Sequence, residues 1–247
     1  VQTCALPIST KGVYNPSFTD LQTLLNYKVN EQWEWEFLGN YARNRFNFLP
    51  EEQTSSFGLV NKAYQLRIFY TGAELDQFDT KFTGLSTTYR PTKNLRLKLL
   101  ASAYFSNEKE SYDISGEYLL GELETDLGKA NFGQVKTYLG TGVIQNYARN
   151  FLQVQQTSIG HRGSYIHKKQ VWLWGADLQR IAIQDQLLEW ERRDSAGFTQ
   201  PYNPAQLTMM KSYRSHADLR YDKIQGFIQN NFKWNDSLDL TASIMIF

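Results

Sequence analysis

The sequence lacks most of the features by which enzymes, metalloproteins and helical membrane proteins are recognised. Cys4 is the only cysteine among 247 residues, so no disulfide can form within the chain. No stretch approaches the roughly 18 consecutive apolar residues of a membrane-spanning helix. Basic and acidic residues number 26 and 25, a balance that argues against a nucleic-acid partner.

Catalytic and metal-binding patterns are equally scarce. The chain has three histidines. His161 and His167 lie about 20 Å apart on one predicted strand at ~3.3 Å per residue, too far to share a metal, and His216 is isolated. Neither a glycine-rich phosphate loop nor a nucleophile motif occurs. The sequence therefore predicts no enzyme, no catalytic residue, no metal site and no cofactor.

One acidic run has two interpretations. Such carboxylates can coordinate calcium or attract a cationic substrate, but the spacing of a calcium-binding loop is missing. A solvated outer surface is therefore the preferred interpretation. The run comprises Glu108, Glu110, Asp113, Glu117, Glu122, Glu124 and Asp126.

What the chain does contain is aromatic residues, 15% of the total, and alternation of period two. Residues 85–105 are the clearest case. From Leu95 to Phe105, apolar residues occupy every second position, and Arg96, Lys98, Ser102 and Tyr104 lie between them. Because successive side chains of a strand point to opposite faces, this segment predicts a strand with one apolar and one polar face.

Similar alternation recurs along the chain and predicts further strands. It is found at residues 21–29, 33–41, 224–234 and 238–246. Two longer strands are expected at residues 142–166 and 170–191. In the second of these, the apolar phase slips between Leu178 and Ile181, which predicts a β-bulge.

Short and long connections alternate between these strands. Short polar turns are expected at residues 30–31, 91–94, 168–169 and 235–237. Long connections are expected at residues 48–77, 113–141 and 194–214, with an extra hairpin around residues 63–79. Short turns at one end and long loops at the other are typical of outer-membrane barrels.

Aromatic residues cluster beside the short turns. Indole and phenol rings favour the interface between lipid and headgroups, so a ring of aromatics near the turns predicts a membrane-interface girdle. An ordinary sandwich core is the alternative. The predicted interface aromatics are Tyr27, Trp33, Trp35, Tyr89, Tyr165, Trp172, Trp174, Phe232 and Trp234.

Four stretches resemble the β-barrel of TonB-dependent outer-membrane receptors. They are YRPTKNLRLKLLASAYFSNEKESYDISGEY at residues 89–118, LLGELETDLG at 119–128, NYARNFL at 146–152 and LLEWERRDSAGF at 187–198. The resemblance implies an all-β fold, an antiparallel transmembrane β-barrel. The chain is expected to supply about eight long strands of a larger, roughly 22-stranded barrel.

The same resemblance implies energy-coupled nutrient uptake at a Gram-negative cell outer membrane. The expected partners are outer-membrane lipid, a plug domain missing from this chain, the TonB energy-transducing complex acting through that missing part, and a surface lipoprotein. Iron chelates, cobalamin, glycans and peptides all suit such a receptor, so substrate and ligand-binding residues stay unassigned. The last strand is expected to be cut midway, with a true terminus at Phe247 as the alternative.

Three alternatives remain open at this point. A passive porin or a surface adhesin would use a similar barrel, and a soluble β-rich binding module would cover its apolar faces with one another. A separate expectation concerns residues 1–8, VQTCALPI, which resemble a translated sequencing adapter. They are expected to be non-native, with the partial barrel occupying residues 9–247; a genuine loop or frayed strand is the alternative.

Overall fold

The computed structural model describes residues 11–194, 208–235 and 237–246. These residues form one antiparallel sheet of nine strands, so the predicted all-β class is confirmed. No helix among them is long and apolar enough to cross a membrane. The strands are β1 Gly12–Lys28, β2 Trp33–Pro50, β3 Gln53–Leu59, β4 Lys62–Thr92, β5 Leu95–Leu123, β6 Val135–His167, β7 Gln170–Asp194, β8 Thr208–Lys233 and β9 Asp239–Ile246.

Eight strands follow one another in the sheet in the order β1-β2-β4-β5-β6-β7-β8-β9, and β3 pairs with β4 alone. The expected count of eight long strands plus one extra hairpin agrees with this arrangement. The sheet is open, because β1 and β9 each pair on one side only within the described residues. The predicted non-native leader, residues 1–8, and Phe247 lie outside those residues.

All four predicted short turns are present, and the alternating strand directions place them at one end of the sheet. Side-chain oxygens hold three of these turns. Asn30 Oδ1 accepts hydrogen bonds from the backbone N–H groups of Gln32 and Trp33, at 2.9 and 2.8 Å. Thr92 and Asn235 do the same in their own turns. Such local bonds replace the ladder bonds that the reversing backbone gives up.

The long connections are mostly strand, which corrects the sequence-based prediction. Residues 48–77 and 113–141 were expected to be loops, but β2 continues to Pro50, β4 begins at Lys62, β5 continues to Leu123 and β6 begins at Val135. The remaining connection after β5 is residues 124–134. Polar segments without alternation can stay extended when both neighbouring strands supply hydrogen bonds. In the third expected connection, residues 194–214, residues 195–207 lie outside the part of the chain that the structure describes.

The extra hairpin exists, but at a different position. It pairs Gln53–Leu59 with the first residues of β4, from Lys62 to Ile68. Residues 74–79, which were predicted to belong to the hairpin, instead pair with both β2 and β5 in the main sheet. The prediction was wrong because residues 53–62 and residues 74–79 both have the composition of a loop, so the sequence did not show which of them forms the hairpin.

The predicted bulge between Leu178 and Ile181 is absent. β7 keeps an uninterrupted register with β6 through this segment, and with β8 from Gln170 to Glu191. Ile181 and Ile183 simply lie on the opposite face from Leu178. The register shift that does occur on β7 lies between Glu191 and Arg192. Apolar residues on both faces of one strand give the same sequence pattern as a β-bulge, so the sequence alone did not distinguish the two.

The two faces of the sheet differ in exposure. Directly paired residues of neighbouring strands share a face, so the pairing assigns every strand residue either to the face of Leu99 or to the face of Lys98. Between Lys98 and Asp113 on β5, every exposed residue lies on the Leu99 face. The same holds for the corresponding parts of β4, β6 and β7. Such a difference is what the convex and concave faces of a curved sheet produce.

The described chain has almost no hydrophobic core. Leu123 and Ala148 are the only buried hydrophobic residues within it. All nine strands belong to one sheet, and no second sheet covers either face. Large hydrophobic residues on the Leu99 face are instead exposed, among them Leu99 at 54%, Ile159 at 64% and Ile224 at 69%.

Candidate functional site

The Leu99 face carries a continuous stripe of apolar residues, called the apolar belt here. On β5 it extends from Leu95 to Phe105, and its neighbours continue it across the pairing of the sheet. The other strands contribute Leu21, Leu25, Trp35, Phe37, Leu85, Ile159, Ala176, Leu178, Ile224, Ile228, Leu240, Ala242, Ile244 and Ile246. The stripe is about 33 Å long along β5 at ~3.3 Å per residue.

The predicted interface aromatics lie together at the turn-side edge of this belt. Eight of the nine are on the Leu99 face of a strand, and Trp234 lies in the turn after β8 with its ring centroid 5.8 Å from that of Phe232. Two indole N–H groups bond within the sheet: Trp33 Nε1 donates to Thr87 Oγ1 at 2.6 Å, and Trp174 Nε1 donates to His161 Nε2 at 3.1 Å. The rings are therefore fixed in orientation by neighbouring strands.

The line of aromatics crosses the strands obliquely. A row here means the residues that are directly paired with one another across successive strands. Tyr27 is in the row of Leu99, Trp33 and Tyr89 are in the row of Leu97, and Trp172 is in the row of Leu95. Phe232 lies two residues closer to the short turns than the row of Leu95. This drift, about 20 Å over six strand spacings of ~4.8 Å, corresponds to a strand tilt of about 35°. The belt then measures about 27 Å perpendicular to its edge.

At the height of the belt, the opposite face carries ion pairs. Lys98 Nζ contacts Glu36 Oε2 at 2.5 Å, and Ser86 donates a hydrogen bond to the same oxygen. Further round the sheet, Arg162 and Asp177 are 2.7 Å apart. The Lys98 face is thus polar where the Leu99 face is apolar, although it is the less exposed of the two.

Beyond the belt, away from the turns, the Lys98 face becomes acidic. In the rows from Ser102 to Tyr112 it carries seven carboxylates and one lysine, and these residues are called the acidic band. The band comprises Asp20, Glu74, Asp76, Glu108, Glu110, Asp185, Glu189 and Lys223.

Three carboxylates of the acidic band converge. Asp76 and Glu110 are directly paired across β4 and β5, and Glu74 lies two residues from Asp76. One oxygen from each lies within 4.8 Å of the others. Burial raises the pKa of Asp76 to about 6, and the nearby Glu110 carboxylate adds to the shift. Burial and these two carboxylates also raise the pKa of Glu74.

A bridge of hydrogen bonds joins this group to β7. Asn150 Nδ2 donates to Glu110 Oε2 at 2.9 Å and to Glu189 Oε1 at 2.6 Å, and Asn150 Oδ1 accepts from the backbone N–H of Leu188. Beside it, burial and four surrounding carboxylates raise the pKa of Tyr112 to about 12. The group can share a proton or attract a cation, because closely spaced carboxylates cannot all carry charge without cost.

This convergence was missed by the sequence analysis. The acidic run from Glu108 to Asp126 is divided between the two faces, so it forms no common site. Only Glu110 joins the group, and its partners Glu74 and Asp76 come from residues 63–79, which were expected to form the extra hairpin. The pairing of β4 with β5 brings them together; the short turn at residues 91–94 indicates that pairing, but not that it continues as far as residues 74–76.

Substituting Asp76 with asparagine is expected to change the pH dependence of stability. Because the pKa of Asp76 is raised on folding, the native protein binds this proton more tightly than the unfolded chain does. Its contribution to stability is present below about pH 4 and is lost as the pH rises through about 6. D76N removes that loss, so the variant should be the more stable protein at pH 7 and equal to wild type at pH 4, as measured by urea unfolding.

Asp218→Asn is the matched control, with the opposite sign. Hydrogen bonds from Arg220 hold the pKa of Asp218 below its ordinary value. Its charge therefore stabilises the native state above the ordinary carboxyl pKa, and D218N should be less stable than wild type at pH 7. A D76N protein less stable than wild type at pH 7 would contradict the assigned environment of Asp76.

Comparison with known proteins adds no assignment: no protein-family model matches the chain, and no curated protein matches it.

Proposed function

We propose that this chain is part of the wall of a transmembrane β-barrel in a bacterial outer membrane, with the apolar belt facing lipid and the Lys98 face lining the lumen. One observation carries the proposal: at the height of the belt, the more exposed face is apolar and the less exposed face holds ion pairs. A protein folding in water arranges its faces the other way round.

The dimensions of the belt support this assignment. Transmembrane barrels have an outward apolar band ~25 Å tall, strands tilted by ~35–45° and aromatic residues at the interfaces. The belt is about 27 Å tall at a tilt of about 35°. With short turns at the aromatic end, that end corresponds to the periplasmic side, and the long strand extensions correspond to the extracellular side.

The free edges of β1 and β9 support a larger barrel than this sheet alone. An unpaired strand edge in lipid leaves its backbone N–H and C=O groups unsatisfied, which costs several kcal/mol per group. We therefore propose that further strands pair with β1 and β9 and close the barrel.

Energy-coupled nutrient uptake is the function we propose for that barrel. The four stretches that resemble TonB-dependent receptors support it; residues 89–118 cover the turn between β4 and β5 with its flanking strands, and residues 146–152 lie in β6. In such a receptor a plug domain occupies the lumen and the TonB complex acts through it. The polar lining would contact that plug, and the acidic band would line the lumen between the belt and the extracellular strand extensions.

Quenching of tryptophan fluorescence by brominated lipid tests the membrane assignment. Trp33, Trp35, Trp172 and Trp174 all lie at the edge of the belt. In vesicles of phosphatidylcholine brominated along its acyl chains, their fluorescence should fall well below that in unbrominated vesicles. Detergent removal should make the protein aggregate. A monodisperse protein in plain buffer, with no quenching by brominated vesicles, would show a soluble β-rich module instead.

The complete reading frame separates uptake from passive permeation or adhesion. An energy-coupled receptor requires a plug-coding segment ahead of the barrel strands. A complete gene without one would point to a porin or a surface adhesin on the same barrel wall. A neighbouring gene for a surface lipoprotein would favour a glycan or peptide as the imported nutrient.

A further inference from the structure

From the last two rows of the apolar belt onwards, on the side away from the turns, the Leu99 face becomes cationic. In the rows from Ala103 to Ser111 it carries eight cations and three carboxylates, a net charge of five positive units, and these residues are called the cationic band. The cations are Arg43, Arg45, Lys81, Lys109, Arg149, Arg180, Arg214 and Arg220, and the carboxylates are Asp79, Asp218 and Asp222.

The three carboxylates are already engaged by arginines of the same band. Arg43 Nε contacts Asp79 at 2.5 Å, Arg180 Nε contacts Asp222 at 2.8 Å, and Arg220 contacts Asp218 at 3.1 Å. No carboxylate of the band is therefore left to neutralise its other cations.

Three of these other cations form a compact group on adjacent strands. Arg45, Lys81 and Lys109 are exposed and have no ion-pair partner within the described residues. Arg45 and Lys109 lie in one row with Gln77 between them, so their Cα atoms are about 10 Å apart. Lys109 Nζ also lies 6.0 Å from the ring centroid of Phe151.

Lys81 connects this group to the belt. It is paired with Tyr41 on one side and, on the other, with Phe105, the last residue of the belt on β5. A lysine at such a boundary lays its methylene stem along apolar neighbours and extends its ammonium group towards the polar zone. Its charge is thus at the level where lipid headgroups begin.

We infer that Arg45, Lys81 and Lys109 bind the phosphate groups of lipid headgroups in the leaflet on the extracellular side. The inference rests on the proposed membrane orientation and goes beyond it by assigning a lipid chemistry to particular residues. Apolar contact with the acyl chains and cationic contact with the phosphate come from one continuous surface. At the same height the acidic band repels the same ligand from the opposite face, which confines it to the exterior.

Competition between two lipids tests this site. Delipidated protein in neutral detergent receives equal amounts of phosphatidylglycerol, which carries phosphate, and monogalactosyl diacylglycerol, which carries none. Native mass spectrometry then measures the ratio of the two lipids bound. Wild type should prefer phosphatidylglycerol, and the triple variant R45Q/K81Q/K109Q should lose at least about five-fold of that preference, since one cation near a charged membrane surface contributes about that factor.

A charge-matched control removes three exposed lysines far from the belt: Lys11, Lys62 and Lys136, all at the extracellular end. The K11Q/K62Q/K136Q variant should keep the wild-type preference. The conservative variant R45K/K81R/K109R should keep it as well, which excludes misfolding as the cause of the loss. Equal losses in the two glutamine triples would overturn the inference, because net charge alone would then explain the result.

Inorganic phosphate separates a lipid site from a general anion site. A tenfold excess of phosphate, at ionic strength matched with sodium chloride, should leave phosphatidylglycerol bound; complete displacement would overturn the assignment to lipid. Brominated-lipid quenching of the same proteins keeps the two proposals apart. Quenching with no lipid preference refutes the phosphate site alone, whereas absence of quenching refutes the membrane assignment.

Discussion

Replacing Leu99 with arginine is expected to prevent stable membrane insertion, whereas the same replacement at Leu100 is expected to be tolerated. The two leucines are consecutive on β5 and lie on opposite faces of the sheet. Leu99 lies near the middle of the apolar belt, and in the proposed orientation an arginine there faces lipid at a cost of about 2–4 kcal/mol. Leu100 lies among Ser86, Lys98 and Ser102 on the polar face, where an arginine remains hydrated.

This pair of variants also separates the membrane assignment from the soluble alternative, because the two predict opposite results. Leu99 is 54% exposed, so in a water-soluble protein L99R would be nearly neutral, and L100R, on the less exposed face, would be the more damaging change. The measurement is the fraction of each protein that resists urea extraction from lipid vesicles. Loss of resistance in L100R, with L99R unaffected, would refute the proposed orientation of the sheet.

Replacing Gly72 with alanine is expected to be the most destabilising single-methyl change in the described sheet. Gly72 has φ of +98°, which L-residues rarely adopt. A Cβ built there would overlap the carbonyl oxygen of Asp113 on the paired strand β5. Backbone strain of this kind costs about 1–3 kcal/mol. The overlap adds to it, because backbone atoms held in a ladder cannot move aside singly.

Gly133→Ala is the matched control for Gly72→Ala. Gly133 also has positive φ, +76°, but no atom lies within 4 Å of the position of its Cβ. Its substitution should therefore cost the backbone strain alone, about 1–3 kcal/mol. Urea unfolding in detergent micelles should give a clearly lower midpoint for G72A than for G133A. Equal midpoints would mean that β5 can move away from β4 at Asp113, contrary to the continuous pairing there.

Local chemistry explains why much of the fold was predictable. Alternation from Leu95 to Phe105 and from Leu238 to Ile246 predicts strands and also the face of each residue. A polar segment of two residues between two alternating strands, such as residues 168–169, is long enough only for a hairpin turn. The predicted turn positions were enough to show that the aromatic residues beside these turns lie near one end of the sheet. The strand pairing places eight of them on one face, and their role at a membrane interface stays a prediction.

Where both neighbouring strands determine the conformation, prediction failed. Residues 74–79 and 113–123 lack clear alternation, yet they are extended because β2, β4, β5 and β6 pair with them. Leu178 and Ile181 imitate a bulge because each face of β7 carries some apolar residues. The group of Glu74, Asp76 and Glu110 was missed for the same reason, since its members meet only across the β4–β5 register.

The sequence by itself determined the strands of the apolar belt, where the chain turns tightly and which side of each of those strands is apolar, because a period of two is a property of single strands. The tertiary structure decided how the strands align with one another. That alignment joins separate stripes into one belt, sets the oblique line of aromatics, and gathers positive charge on one face and carboxylates on the other. Within each hairpin the short turn sets the register, but across the long connections the register depends on hydrogen bonds between segments distant in sequence.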